Sequence, residues 1–204
     1  MRDIVFPKGN EESFLKMATK LGYKEIIFCY EFDGKNDFLE KVQEDFDKIK
    51  SDVKVEFCVK LSRGNIMKLK NPKVMTIFES DRENDRFVIE KCKPSMIFNF
   101  EDEKAKDYIH HRNSGLNQVL CKYMAENKIK YGLSLNSIID ADDNFRAQVI
   151  GRIKQNVKLC RKYKVDMKVF SFASDPYSMR SPADIVSLLC SFGMQQKEAK
   201  EALS

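Results

Sequence analysis

Tryptophan is absent from this 204-residue chain, histidine occurs only twice, and proline and glycine are sparse at five and eight residues. Each scarcity excludes something. Few prolines and glycines rule out collagen-like or linker-like low complexity. The two histidines, the adjacent pair His110-His111, are too few for a multi-histidine metal centre, and no HxH, HExxH or DxDxD pattern occurs. The six cysteines include no CxxC pair and stand far apart, at Cys29, Cys58, Cys92, Cys121, Cys160 and Cys190. Several lie inside apolar runs, which predicts reduced core thiols in a cytoplasmic protein instead of a disulfide framework. No apolar run approaches the roughly 18 residues of a membrane span, so no membrane partner is expected. Met1–Pro7 reads as a strand, without the apolar core and cleavage site of a leader. A GxGxxG after the first strand and a GxxxxGK[ST] are both missing, which removes the usual dinucleotide and nucleoside-triphosphate signatures. Ser114 precedes Gly115 but lacks the GxSxG frame of a nucleophile elbow.

What the chain does contain is enough apolar material for a core, 43% of its residues. Short β-branched or aromatic runs alternate with segments of helical period along its whole length. The strands expected are Asp3–Phe6, Glu25–Phe32, Val53–Leu61, Val74–Glu79, Ser95–Phe100, Ile129–Leu135 and Asp166–Phe172. Between them, helices are expected at Glu11–Leu21, Phe38–Ile49, Glu83–Lys91, Leu116–Asn127 and Asp143–Tyr163. Asp33-Gly34-Lys35-Asn36 reads as a turn. A last helical region, Pro182–Leu203, breaks at Gly193 and opens on Ser181-Pro182-Ala183-Asp184, a helix start with Ser as cap and Pro first. Strict alternation implies a mainly parallel sheet, since parallel neighbours need crossover connections. Both an open doubly wound sheet and a compact barrel fit, and one domain, 1–204, accommodates either.

The net charge of +5 is modest, but it is unevenly spread. The first hundred residues carry 19 basic and 18 acidic side chains, and the remainder 17 and 13. Arg146–Lys168 is denser still, with Arg146, Arg152, Lys154, Lys158, Arg161, Lys162, Lys164 and Lys168 against Asp166 alone. This suits either a solvated helix back or a surface that meets a polyanion. The arginines narrow the choice. Of nine, five (Arg63, Arg82, Arg86, Arg112 and Arg180) fall between an expected strand and the helix after it. In a parallel α/β fold those loops emerge at one edge of the sheet, where ligands bind. A guanidinium fork suits phosphate, because it donates two parallel hydrogen bonds.

Two tracts sharpen the expectation. In His111–Leu120 (HRNSGLNQVL), Asn113 or Ser114 would cap a helix whose first turn holds Asn117. Gly115 would let backbone approach a ligand, with Arg112 beside exposed amides. In Ser171–Ile185 the design repeats: small residues at a strand end, then Arg180, then the helix capped by Ser181. Ordinary capping would explain both tracts without a ligand. Glu79, Asp81, Asp107, Asp140, Asp142 and Asp143 leave a carboxylate-held Mg²⁺ site open as an alternative.

These two tracts in this order, with Arg161-Lys162-Tyr163-Lys164 before the last strand and Phe192-Gly193-Met194 between the final helices, resemble the RNase P protein component 3 family of archaea and eukaryotes. The match is specific over residues 110–203 and diffuse before them. The resemblance implies a TIM-barrel-like fold of seven to eight mainly parallel strands, without catalytic residues, metal or cofactor of its own. It implies a non-catalytic RNA-binding subunit of ribonuclease P, whose RNA removes the 5′ leader from precursor tRNA. Its expected partners are the RNase P RNA, precursor tRNA in the assembled complex, and a second small protein subunit in a heterodimer or heterotetramer. The absence of Trp and of a long basic tail points to an archaeal-type member. The expected RNA contacts are Arg63, Arg82, Arg86, Arg112, Ser114, Gly115, Asn117, Lys154, Lys158, Lys168, Arg180 and Ser181. The alternative is a metal-dependent phosphoesterase or sugar-phosphate enzyme of a PHP-like barrel, although that class's metal-binding HxH is missing.

Overall fold

The computed structural model describes residues 1–35, 37–46, 49, 51–69, 73–102 and 106–204. Seven strands follow one another: β1 (Arg2–Val5), β2 (Glu25–Glu31), β3 (Lys54–Leu61), β4 (Met75–Glu79), β5 (Met96–Phe98), β6 (Lys130–Ser134) and β7 (Met167–Phe170). Each pairs in parallel with the next. The sheet then closes on itself. Phe6 N–H donates to the Ala173 carbonyl at 2.8 Å, and Phe172 N–H donates to that of Ile4 at 2.9 Å. An open doubly wound sheet would leave two free edges; this one is a TIM-barrel-like parallel barrel.

Around it stand α1 (Glu11–Leu21), α2 (Phe38–Phe46), α3 (Asp85–Phe87, continued as a π-helical turn over Val88–Cys92), α4 (Gln118–Glu126), α5 (Asn136–Ile139), α6 (Asp143–Tyr163), α7 (Pro182–Ser191) and α8 (Gln196–Ala202). Strand period two divides the apolar residues into two layers. Ile4, Ile27, Cys29, Cys58, Ile77, Met96, Phe98 and Phe170 fill the barrel. Their alternates, among them Val5, Ile26, Phe28, Val59, Ile97, Leu133 and Val169, pack beneath the helices. Gly132 faces Phe98 in register, and a Cβ there would stand 2.7 Å from Met96 Sδ and 2.9 Å from Phe98 Cβ. The missing side chain is what lets the Met96 and Phe98 side chains occupy the narrow interior. All six cysteines are free thiols.

Several expectations change. Between β3 and β4 the described residues form turns, with no helix after Arg63. The helix expected from Glu83 begins at Asp85, so Arg86 sits on a helix and not in a loop. Helix α5 was not foreseen, because four residues carry too little periodicity to read. Asn36 of the expected turn, and residues 47 and 48 of the second helix, lie outside the described residues. The start of α7 is as read: Ser181 Oγ accepts from Asp184 N–H at 3.2 Å, with Pro182 at the first position.

Candidate nucleic-acid interface

Because every strand is parallel, the loops after them share one rim of the barrel. On that rim lies a groove of about 520 Å³, walled by α3, the loop from residue 106 to 117 and the middle of α6. It gathers Arg82, Arg86 and Arg112 over a floor that includes Ser114, Gly115 and Asn117. Arg82 follows β4, and its Nη2 donates to Asn113 Oδ1 at 2.8 Å and to Tyr108 Oη at 3.3 Å. Arg86 projects from α3 and pairs with Glu90 one turn on, at 2.8 Å.

Arg112 is fixed from two sides. Gln155 of α6 accepts from its backbone N–H at 3.1 Å and donates Nε2 to its carbonyl at 3.0 Å. The guanidinium lies over Gly151, where a Cβ would stand 2.5 Å from Nε and 2.6 Å from Nη1. Nη1 also donates to Asp107 Oδ2 at 3.2 Å. Asp107 in turn accepts from Arg152 Nε at 2.8 Å and from Asn113 N–H at 3.0 Å. Burial works against charge on this carboxyl, but the Arg152 bond, the Asn113 amide and Arg112 outweigh it and hold the group below the usual carboxylate range. Arg112 and Arg152 thus share one carboxylate, leaving one net positive charge among the three groups.

Beneath this pair the core is polar. Arg152 is wholly buried, and its Nη1 donates to the Glu101 carbonyl at 3.0 Å. The Glu101 carboxylate accepts from Tyr131 Oη and, at 2.7 Å, from Asn156 Nδ2, which also reaches the Ser114 carbonyl at 2.9 Å. Burial pushes the Glu101 carboxyl up, against the pull of Tyr131 and Asn156. Arg152 therefore belongs to the interior and not to the outward basic surface where its sequence neighbours placed it.

Three floor residues act differently from what their motif suggested. Ser114 is 1% exposed, and its hydroxyl accepts from Gln155 Nε2 at 2.7 Å. Gly115 has φ +77° and packs on Phe100, whose carbonyl oxygen a Cβ would overlap; it admits backbone, not ligand. The helix cap is Asn117, whose Oδ1 accepts from Val119 and Leu120 N–H at 2.9 and 3.0 Å. Those amides, expected to meet an anion, are satisfied by their own cap. The arginines supply the charge here, and of the floor residues Ser114 supports Arg112 through Gln155.

The other expected residues lie apart. Arg63 lines a separate cavity of about 420 Å³ at the rim, with Lys60, Asn65 and Glu79. Arg180 is exposed after β7, its Nη1 donating to the Tyr177 and Met179 carbonyls at 2.9 Å. Ser181 caps α7. Lys154 and Lys158 are exposed on the outer face of α6. Lys168 stands at the amino-terminal end of β7, where its amine donates to the Glu201 carbonyl at 2.9 Å; its side chain is 12% exposed. It ties strand to helix at the end of the barrel away from the groove.

The carboxylates gather elsewhere. Glu79, Asp102, Asp140 and Asp142 line the barrel mouth, a cavity of about 420 Å³, with Lys60 bonded to Glu79 at 2.7 Å. Burial opposes charge on Glu79, yet Lys60 and Asn99 hold its carboxyl below the ordinary range. Asp81 bonds the Asn84 amide, and Asp143 is exposed beside Arg146. Among the described residues no three of His, Cys, Asp and Glu converge to hold a metal ion. Of the histidines, His111 stacks on Tyr108 with ring centroids 4.6 Å apart. Gln155 and Gly151 escaped the sequence reading, which named Asp107 only as a candidate metal ligand and Arg152 only as part of a basic run. A signal existed: Arg152 and Asn156 fall on the apolar face that Val149, Ile153, Val157 and Cys160 define, where polar side chains need buried partners.

Fold and site together define a TIM-barrel-like protein with a cationic groove set beside an acidic barrel mouth. Residues 105–204 match the model of the family described as RNase P subunit p30. It is 35% identical over 102 residues to ribonuclease P protein component 3 of Methanosarcina acetivorans, covering 48% of this chain and 43% of that protein. The chain's match thus spans less than half the length of that relative. Identity to the component 3 protein of Methanococcoides burtonii is 26% over 198 residues, 97% of this chain and 79% of the relative. A chain in a cryo-EM structure of archaeal ribonuclease P with mature tRNA superposes with a TM-score of 0.76 at 20% identity, covering 98% of this chain and 86% of that one. Among the described residues no helix is long and apolar enough to cross a membrane.

Proposed function

We propose that the chain is a non-catalytic RNA-binding subunit of ribonuclease P that supports removal of the 5′ leader from precursor tRNA by the RNA component. The observation that carries this reading is the rim groove that collects Arg82, Arg86 and Arg112, next to a family-matched half that includes Arg112. In this reading the whole chain, 1–204, acts as one barrel domain in the cytoplasm. It partners the RNase P RNA and a second small protein subunit, as a heterodimer or heterotetramer, and meets precursor tRNA in the assembled particle. Arg63 and Arg180 extend the contact along the rim, and Lys154 and Lys158 along α6. Phosphate contacts of this kind position an RNA without reading its sequence.

The test is reconstitution of precursor-tRNA cleavage with and without this chain, with a parallel control that omits the RNA. Arg112→Ala and Arg180→Ala are each expected to weaken RNA affinity about tenfold and to slow cleavage, with folding intact by circular dichroism. Each should reduce the slope of log affinity against log salt by roughly 0.7 to 0.9. Cleavage that persists without RNA, or two variants indistinguishable from the parent, would refute the reading.

A further inference from the structure

The groove is more than a patch of cations, because an exposed aromatic stack stands at its lip. Tyr108 and His111 lie nearly parallel, 24° apart with centroids separated by 4.6 Å, and Tyr108 N–H donates to the His111 carbonyl at 3.0 Å. Tyr108 is 53% exposed although tyrosine carries a large apolar ring, and the adjoining Ile109 is 95% exposed. Arg82 bonds the Tyr108 hydroxyl, and Arg112 follows His111 directly. Ring face and guanidinium therefore sit side by side along one groove.

We infer that this groove takes an unpaired nucleotide of the RNA, its base stacked on the Tyr108–His111 pair and its phosphate on Arg82 and Arg112. The inference deepens the RNA-binding reading above and rests on it. A duplex conceals its base faces, so an exposed ring gains nothing from it beyond backbone contact, whereas an unstacked base recovers its stacking. The cavity of about 520 Å³ is of the size that small ligands fill. The side-chain amides that could read a base edge are already engaged: Asn113 with Arg82, Gln155 with Arg112 and Ser114, and Asn117 with its helix. Asp85, the carboxylate in the lining, accepts from Ser80 Oγ at 2.7 Å and Asp81 N–H at 2.9 Å. The site therefore accepts any base and discriminates paired from unpaired.

The competing use of such a loop is contact with a protein partner through Ile109. Fluorescence anisotropy of the full chain with an unstructured twelve-nucleotide RNA and with a twelve-base-pair RNA duplex separates the two. The parent should prefer the single strand, with little difference between purine-rich and pyrimidine-rich forms. Tyr108→Ala should weaken single-strand binding by about 5- to 100-fold, weaken duplex binding far less, and abolish quenching of a 2-aminopurine in the strand. Tyr108→Phe should retain both binding and quenching. If Tyr108→Ala binds the single strand as the parent does while Arg112→Ala does not, the stacking inference falls and the RNA-binding reading stands. A parent without single-strand preference, or a Tyr108→Ala that loses only its protein partner in the reconstituted particle, likewise overturns the inference. If Arg112→Ala also binds every RNA as the parent does, the RNA-binding reading itself fails.

Discussion

At the scale of single residues, the position of one guanidinium depends on a hydrogen atom. A glycine inside a 21-residue helix costs about 1 kcal/mol relative to alanine. Gly151 nonetheless sits in mid-α6, beneath the Arg112 guanidinium. The atoms a methyl group would meet belong to the far end of a flexible side chain, so the helix can gain what alanine offers while the arginine swings away. Gly151→Ala is therefore expected to stabilise the protein by about 0.5–1 kcal/mol and to weaken RNA binding about as much as Arg112→Ala does. Denaturant melts and anisotropy titrations on the same variant check both signs; a stabilised variant with parental RNA affinity would show that the seat of Arg112 does not matter. Arg112 itself was legible in the sequence, because a basic residue beside a helix start after a strand is a local pattern. Gly151 was not, since nothing near it in the chain reveals which side chain lies across it.

At the scale of elements, Lys168 shows how charge density along a chain misleads. It closed a basic run in the sequence and so read as part of the RNA-facing surface. In the fold the run divides: Lys154 and Lys158 leave the outer face of α6, whereas Lys168 belongs to β7 and bonds α8. Burial pushes its amine below the ordinary lysine range, against the pull of Asp166. Nearby, Arg161 of α6 bonds Glu198 of α8 at 2.7 Å, and Arg2 N–H donates to the Leu203 carbonyl at 3.2 Å. These contacts fasten α8 across the barrel end away from the groove. Lys168→Ala should lower stability by about 1 kcal/mol and leave RNA affinity and its salt slope at parental values. Urea melts and salt-dependent titrations decide it, and a reduced slope would return Lys168 to the RNA contacts.

At the scale of the molecule, the barrel depends on a seam between its first and last strands, and a carboxyl lies buried there. Asp3 Oδ1 accepts from Ser171 N–H at 2.6 Å and from Ile4 N–H at 3.0 Å. Burial outweighs those bonds and raises the Asp3 pKa from 3.8 to about 6. With the folded pKa above the unfolded one, the native state binds the proton more tightly between these values. Stability from this group is thus full below about pH 4, declines as pH rises toward 6, and is lost above it, by about 3 kcal/mol in all. Asp3→Asn removes the titration and should flatten that part of the stability profile, measured by denaturant melts between pH 4 and 7. An unchanged slope would place the titration elsewhere. Asp107, held below the ordinary range, works with the opposite sign, and its contribution is lost only as the solution becomes more acidic than an ordinary carboxyl requires.

The sequence by itself determined the parallel α/β class, the order of seven strands, most helix boundaries and the arginines at strand ends. Those properties follow from periodicity, capping and turn chemistry, which act over a few neighbouring residues. Periodicity left closure of the sheet open and the family resemblance implied it; only the tertiary structure decided that Arg82, Arg86 and Arg112 meet in one groove while Arg63 and Arg180 stand apart, and that Ser114 and Arg152 turn inward. Closure rests on bonds between residues some 170 positions apart, such as Ser171 to Asp3. The groove rests on Gln155 and Asp107, reached across α6 and a loop. Such contacts depend on how packed elements meet in space, and no local pattern in the chain encodes that meeting.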